Sequence, residues 1–236
     1  MQLFYAPEVD FSQGVYVFSE EESRHIVRVL RLGEGDELFL TDGQGTLARA
    51  EITNGSMKNC EVAVREIRPE FERRAYRMQL AVAPTKNADR IEWLVEKATE
   101  IGVDVITLLS TDHSERRVLR TDRLEKIAVG AIKQSQKAYL PRIEPVTPFS
   151  EWVSLPFDGL KLIAHCEPGE DKVLMKNLVQ PGVDVRVLIG PEGDFSPAEI
   201  ALALQHGYRP ISLGHSRLRT ETAALVAVHT VALINE

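Results

Sequence analysis

The residues best suited to chemistry fall in two short runs near the C-terminus. The first lies in VDVRVLIGPEGDFSPAEIALALQHG, residues 183–207. A near-continuous apolar strand ends at Ile189, and Gly190, Pro191, Glu192, Gly193 and Asp194 make a tight loop. Ser196 then caps a helix, with Pro197 at its first position and Glu199 completing a capping box, and Gly207 stops it. Open parallel sheets bind ligands outside the carboxyl ends of their strands, where such a loop lies, and glycines let a ligand approach the backbone. The loop is neither GxGxxG nor a Walker loop, and its two acids would repel phosphates. A ligand with a positive group, such as a sulfonium, fits better. Composition alone favours a plain turn before a well-capped helix.

The second run, residues 208–225, repeats the arrangement: a strand ends at Leu213-Gly214, a basic loop spans His215 to Arg219, and TETAAL opens an apolar final helix. Arg217 and Arg219 suit an anion or an RNA phosphate, or are simply solvated arginines. A third segment, 84–102, is an amphipathic helix with Lys86 and Arg90 near its start, where cations oppose the helix dipole. Two basic stripes remain. Arg24, Arg28 and Arg31 are spaced for one helix face, with Ile26, Val29 and Leu30 turned away and His25 alongside. Arg123, Lys126, Lys133 and Lys137 share a face of a helix expected at 121–138. Such stripes are usually a helix's wet side; two of them in an acidic protein favour RNA contact. There is no GxSxG, HExxH or CxxC, and His165-Cys166-Glu167 reads as a loop at the same sheet edge rather than a nucleophile.

The elements that position these runs follow from periodicity. The first seventy residues read as short strands (14–18, 37–41, 47–52, 60–67) divided by GEGD, DGQG and NGS turns, a pattern that suggests a small barrel. One helix interrupts them, capped by Ser19 with Glu22 and stopped at Gly33. The polar stretch 68–77 marks a boundary, giving domains at 1–70 and 71–236. Beyond it strands (78–83, 103–109, 160–165, 183–189, 208–213) alternate with helices (88–101, 121–138, 171–178, 197–206, 221–234). That alternation implies an α/β domain with a mainly parallel sheet covered on both faces. Residues 140–159 hold four prolines and read as a surface connection.

Composition bounds the function. At 236 residues with 44% hydrophobic and 27% charged residues, the chain is an ordinary globular protein. Two cysteines are too few for a disulfide framework or a structural zinc site, so no metal is expected. No run reaches the ~18 apolar residues of a membrane span, and the N-terminus lacks a signal peptide's regions, so a cytoplasmic protein without membrane attachment is expected. The net charge of −7 hides a split: residues 113–142 carry 8 basic and 3 acidic groups. An anionic partner can dock there in a salt-sensitive way.

The paired LIGPEGDFSPAEI and LGHSRLRTETAAL runs resemble the signature of the RsmE family, within the SPOUT class of RNA methyltransferases. HIVRVLRLGEGDEL, Asp42-Gly43, the segment from Lys86 through IEWLVEKATEIG and, more loosely, AIKQSQKAYLPRIEP match as well, so the likeness spans nearly the whole chain in order. It implies a C-terminal α/β SPOUT domain with a deep trefoil knot, an exception to the rule against knots. It also implies an N-terminal PUA-like RNA-binding β-barrel and a homodimer. The implied reaction is methyl transfer from S-adenosylmethionine to N3 of a uridine in small-subunit (16S) ribosomal RNA, within the 30S subunit. The cofactor would lie against Ile189, Gly190, Glu192, Gly193, Leu213, Gly214, Ser216 and Leu218. Arg219 would be the catalytic arginine, Glu192 or Glu221 the base, and Arg24, His25, Arg28, Arg31, Lys86, Arg90, Arg123 and Lys126 the RNA contacts. Where the family commonly has GPEGG, this chain has Asp194, and HSRLR stands where PRILR is usual. A SPOUT enzyme with another target atom, or a non-catalytic RNA-binding assembly factor, is the alternative.

Overall fold

Short β-forming runs broken by glycine turns build one sheet, and strand–helix alternation builds another. The computed structural model describes residues 1–168 and 172–236 and divides into two units, 1–73 with 132–140, and 74–131 with 141–236. The first contains β1 (Leu3–Tyr5), β2 (Val15–Val17), α1 (Glu20–Arg24), β3 (Glu37–Thr41), β4 (Leu47–Asn54) and β5 (Glu61–Arg68). Their order is β1-β3-β4-β5-β2, with β1 and β3 parallel and the other pairs antiparallel. Two register shifts between β4 and β5 curl the sheet around a core that includes Phe4, Phe18, Ile26, Leu40 and Ile52. Ala138, from the returning segment, packs on Leu3 and Leu47 and accepts a hydrogen bond from the Thr41 hydroxyl at 3.1 Å.

The helix after Ser19 is capped as expected, but α1 passes into a π turn over His25–Val29 and closes at Leu30. Arg31 follows with φ 58°, outside the helix. The π turn has more residues per turn than an α-helix, so Arg24, Arg28 and Arg31 do not form a single helix face, and Val29 is 64% exposed rather than turned inward.

The second unit contains β6 (Met78–Val82), α2 (Ala88–Ile101), β7 (Val105–Ser110), the start of α3 (Thr121–Ser135), β8 (Arg142–Pro148), α4 (Phe149–Val153), β9 (Leu160–Ala164), β10 (Val173–Leu174), β11 (Val185–Ile189), α5 (Pro197–Gln205), β12 (Arg209–Ser212) and α6 (Thr220–Ile234). The strands form a parallel sheet ordered β10-β12-β9-β11-β6-β7-β8. Every residue of β11 is buried, as befits a strand covered on both faces. Its Arg186 is satisfied internally: Nε donates to Gln79 Oε1 and Nη1 to the Leu155 carbonyl, both at 3.0 Å, and the guanidinium lies over Trp152 and Phe157.

Three expectations fail. Residues 140–159 are not a plain surface connection: β8 is an edge strand beside β7, where Pro145 and Pro148 are tolerated, and α4 buries Phe149, Trp152 and Val153. Of the helix expected at 171–178, position 171 lies outside the described residues, and the rest is β10 and a 3-10 turn at Met175–Asn177. The helix expected at 121–138 ends at Ser135, and Gln136 has φ 59°, so Lys137 is not on its face.

Candidate active site

The carboxyl ends of β9, β11 and β12 converge on a cleft of about 820 Å³. Its wall includes Ile189, Gly190, Glu192 and Gly193 from the loop after β11, and Leu213, Gly214, Ser216, Leu218 and Arg219 from the loop after β12. The two loops singled out in the sequence therefore form one site, and the reason is register: β11 and β12 flank β9 in a parallel sheet, so their following loops emerge on the same edge. His165 and Cys166, at the end of β9, complete the wall between them.

The first loop is held on several sides. Asp194 has φ 62°, the left-handed conformation for which glycine is the usual choice. Its carboxylate is used in return, accepting from the Cys166 amide at 2.6 Å and the Phe195 amide at 2.8 Å. His113 Nδ1 lies 3.0 Å from the carbonyl oxygens of both Gly193 and Asp194, so it carries the proton and donates to them. Glu192 Oε1 accepts from the Lys86 amide at 3.2 Å. The capping box forms as read from the sequence, with Ser196 as N-cap and Glu199 reaching back to its amide. Asp112 ties into that box through the Ser196 hydroxyl at 2.6 Å and Glu199 Oε1 at 3.0 Å. A Cβ on Gly190 would meet the Phe195 ring edge and amide at 3.2 Å, so a side chain here would push the loop into the cleft.

The second loop is looser. Gly214 has φ 129° and open space where a Cβ would point. Its bonds among the described residues are local, with the Ser212 hydroxyl pairing both the amide and the carbonyl of Gly214 at 3.2 Å. Residues 214–217 and Arg219 are exposed. Arg219 is the N-cap position of α6, makes no side-chain capping bond, and borders the cleft.

The remaining expected residues divide. Glu221 is 7% exposed, does not border the cleft, and faces Arg90 at 3.8 Å. Lys86 borders the first loop through its amide, and its side chain pairs with Glu115 at 3.0 Å, a hydrogen bond that holds the ammonium above its usual pKa. Arg123 is paired with Glu92 at 2.7 Å, and Lys133 with Glu22 at 3.0 Å, so that stripe is partly committed to internal partners. Arg28, Arg31 and Lys126 are exposed and form no ion pair among the described residues. Arg24 pairs with Glu20, and His25 is exposed near the Phe4 ring. Sequence reasoning missed Asp112 and His113. No local motif marks them; they matter only because β7 ends next to the first loop.

No helix of the described residues is long and apolar enough to cross a membrane, and no group of three metal-ligating side chains is found among them. A family model for an RNA methyltransferase domain matches residues 72–232, and one for an RNA methyltransferase PUA domain matches 18–64. The chain is 28% identical to the ribosomal RNA small subunit methyltransferase E of Buchnera aphidicola, over 96% of this chain and 90% of that protein. A probable rRNA-methyltransferase from Porphyromonas gingivalis is 42% identical, with a TM-score of 0.91 over 100% of this chain and 98% of that one. A putative methyltransferase from Legionella pneumophila, solved with bound SAM, is 30% identical, with a TM-score of 0.85 over 99% and 98%. The two glycine loops thus sit in a chain matched along almost its whole length, and that chain belongs to the RsmE family of RNA methyltransferases.

Proposed function

We propose that this protein transfers the methyl group of S-adenosylmethionine to N3 of a uridine in small-subunit ribosomal RNA, in the cytoplasm and as a homodimer. The observation that carries the reading is the convergence of a clamped glycine loop, a looser glycine loop and the exposed Arg219 on one cleft. The cleft fits the cofactor: Ile189, Leu213 and Leu218 give it apolar lining, its glycines expose backbone, and Glu192 and Asp194 add negative charge to its wall, complementary to a sulfonium. When bound, S-adenosylmethionine supplies an electrophilic methyl group.

Uracil N3 carries a proton and must lose it to become a good nucleophile, so the site needs a base and a counter-charge for the uracil anion. Arg219, exposed at the rim, supplies the counter-charge. Glu192, exposed in the cleft wall, is better placed to take the proton than Glu221, which is buried beside Arg90. Glu221 and Arg90 instead brace the start of α6 against α2. The N-terminal unit is read as a PUA-like RNA-binding domain, the C-terminal one as a SPOUT domain with a deep trefoil knot. The homodimer reading is supported by α6, which is apolar nearly all round yet leaves Leu233 61% exposed, and by Trp93 on the neighbouring α2, 42% exposed.

The test is nucleoside mass spectrometry after incubation with labelled S-adenosylmethionine and undermethylated small ribosomal subunits. Labelled 3-methyluridine is expected. Another labelled nucleoside would reject the N3 target and keep the methyltransferase; no label, with cofactor and subunits intact, would favour an assembly factor.

A further inference from the structure

The loop joining β7 to α3 carries a cation cluster that neither the sequence motifs nor the cofactor cleft account for. Its sequence from Glu115 is ERRVLR. Arg117 and Arg120 are exposed, and the ion pair of Arg120 with Asp122 joins two largely exposed side chains and so holds it weakly. Val118 between them is 79% exposed, a large aliphatic side chain left in water.

The loop is not free to wander from the site. His113 donates to the carbonyls of Gly193 and Asp194, the Arg116 guanidinium donates to the Lys86 carbonyl at 2.9 Å, and Glu115 holds the Lys86 ammonium. Lys86 in turn donates its amide to Glu192 in the cleft wall. Arg117 directly follows the anchored Arg116, and Arg120 lies three residues further along the same loop, in a protein whose net charge is −7. Concentrating like charges there has an electrostatic cost that an anion would relieve. We propose that Arg117 and Arg120 form a phosphate-contact site for the RNA strand flanking the target nucleotide, with Val118 packed against a sugar or base. This rests on the reading of the cleft as an RNA methyltransferase site. A strand that delivers a base into the cleft must run its backbone over the rim. Guanidinium groups bracketing an exposed aliphatic side chain suit a nucleotide's mix of phosphate and apolar surface better than a free inorganic anion.

The experiment compares the full-length wild type with an Arg117→Gln/Arg120→Gln variant and, separately, Val118→Ser. Steady-state methylation of undermethylated small subunits and of the protein-free ribosomal RNA is measured across a salt series. S-adenosylmethionine affinity is measured without RNA. The double variant should raise KM for both RNA substrates by ~10-fold or more and make log KM against log salt shallower by about one unit or slightly more, the slope expected from two lost phosphate contacts on a single strand. Its kcat and cofactor affinity should stay within about twofold of wild type, given that phosphate contacts position rather than react. Val118→Ser should raise KM without changing the salt slope. An unchanged KM overturns the proposal. So does a fall in cofactor affinity matching the loss of activity, which would make the loop a support of the cleft. A KM change on subunits but not on protein-free RNA also overturns it, pointing to a protein contact. If the wild type methylates neither substrate, the underlying reading of the site fails; filter binding of the protein-free RNA by wild type and variant then decides the contact by itself, equal affinities overturning it.

Discussion

The two glycine loops of the cleft have similar sequence logic and opposite mechanical character. The loop after β11, with the start of α5, is tied to three other segments: backbone amides of Lys86, Asp112 and Cys166 donate to its carboxylates, and the His113 side chain donates to its carbonyls. The loop after β12 is bonded mainly to itself and presents exposed cations. A rigid wall keeps a cofactor in place at little ordering cost, whereas a looser, basic wall can adapt to a large anionic substrate and complete the site when it arrives. On the proposed function, both loops line the cofactor cleft, but the first is the fixed wall that carries Glu192 and the second the adaptable wall that brings Arg219 to the substrate.

The largest effect that would sharpen this division is at Arg219. Replacement by Ala should lower kcat by ~10²–10³-fold, the usual loss when one electrostatic stabiliser of a developing anion is removed. Cofactor affinity, read by calorimetry, should change little; if it falls in step with kcat, Arg219 serves the cofactor rather than the uracil anion and the comparison breaks. Next comes Gly190→Ala. The added methyl would meet Phe195 at 3.2 Å inside a loop that is braced against moving. A cost of ~1–3 kcal/mol from overpacking is expected, equivalent to ~30-fold in cofactor affinity at the middle of that range. Gly214→Ala provides the counterpart. It meets nothing within 4 Å, and its penalty is the φ of 129°. Because few bonds hold that loop, it can relax, so the variant should lose less cofactor affinity than Gly190→Ala; the reverse order would show that the second loop is the stiffer one.

Smaller effects come from the braces themselves. Ser196→Ala removes the α5 cap and the bond to Asp112, and should cost about 1 kcal/mol, seen as a melting temperature lower by roughly 2–4 °C. Asp194→Gly exchanges two bonds from Asp194 for relief of a left-handed strain, two terms that nearly cancel in stability. Its expected signature is kinetic: a cofactor KM raised a few-fold, with kcat unchanged, as the loop loses its tie to Cys166. A matching loss in kcat would mean that this tie serves the reacting geometry.

Much of this was legible residue by residue. The 88–101 helix has an amphipathic pattern and forms over those residues, with Asn87 capping it and Gly102 closing it in the structure. The Ser196–Glu199 box announces α5 because a cap is a local hydrogen-bond pattern between residues three apart. The elements misread were those whose fate depends on distant partners. Residues 142–148 look like a proline-rich connection until β7 offers an edge that tolerates missing amides. His25–Val29 carries a helical pattern, yet it winds as a π turn with Ile26 buried, which takes Arg28 and Arg31 off the expected line.

The chain's sequence by itself determined its class: a small turn-rich β unit, a parallel α/β unit and two glycine loops, the first followed by a capped helix. These follow from short-range rules, periodicity, capping and turn chemistry, which act over a few residues; the methyltransferase reading came from the resemblance of the two loops to a family signature. Only the tertiary structure decided that Asp112, His113, Lys86 and Cys166 brace one loop and leave the other loose, and that Glu221 is buried beside Arg90 rather than facing the cleft. Those outcomes depend on strand order, which brings together residues as distant as Lys86 and Glu192, 106 positions apart, and on which polar groups find partners once the sheet closes.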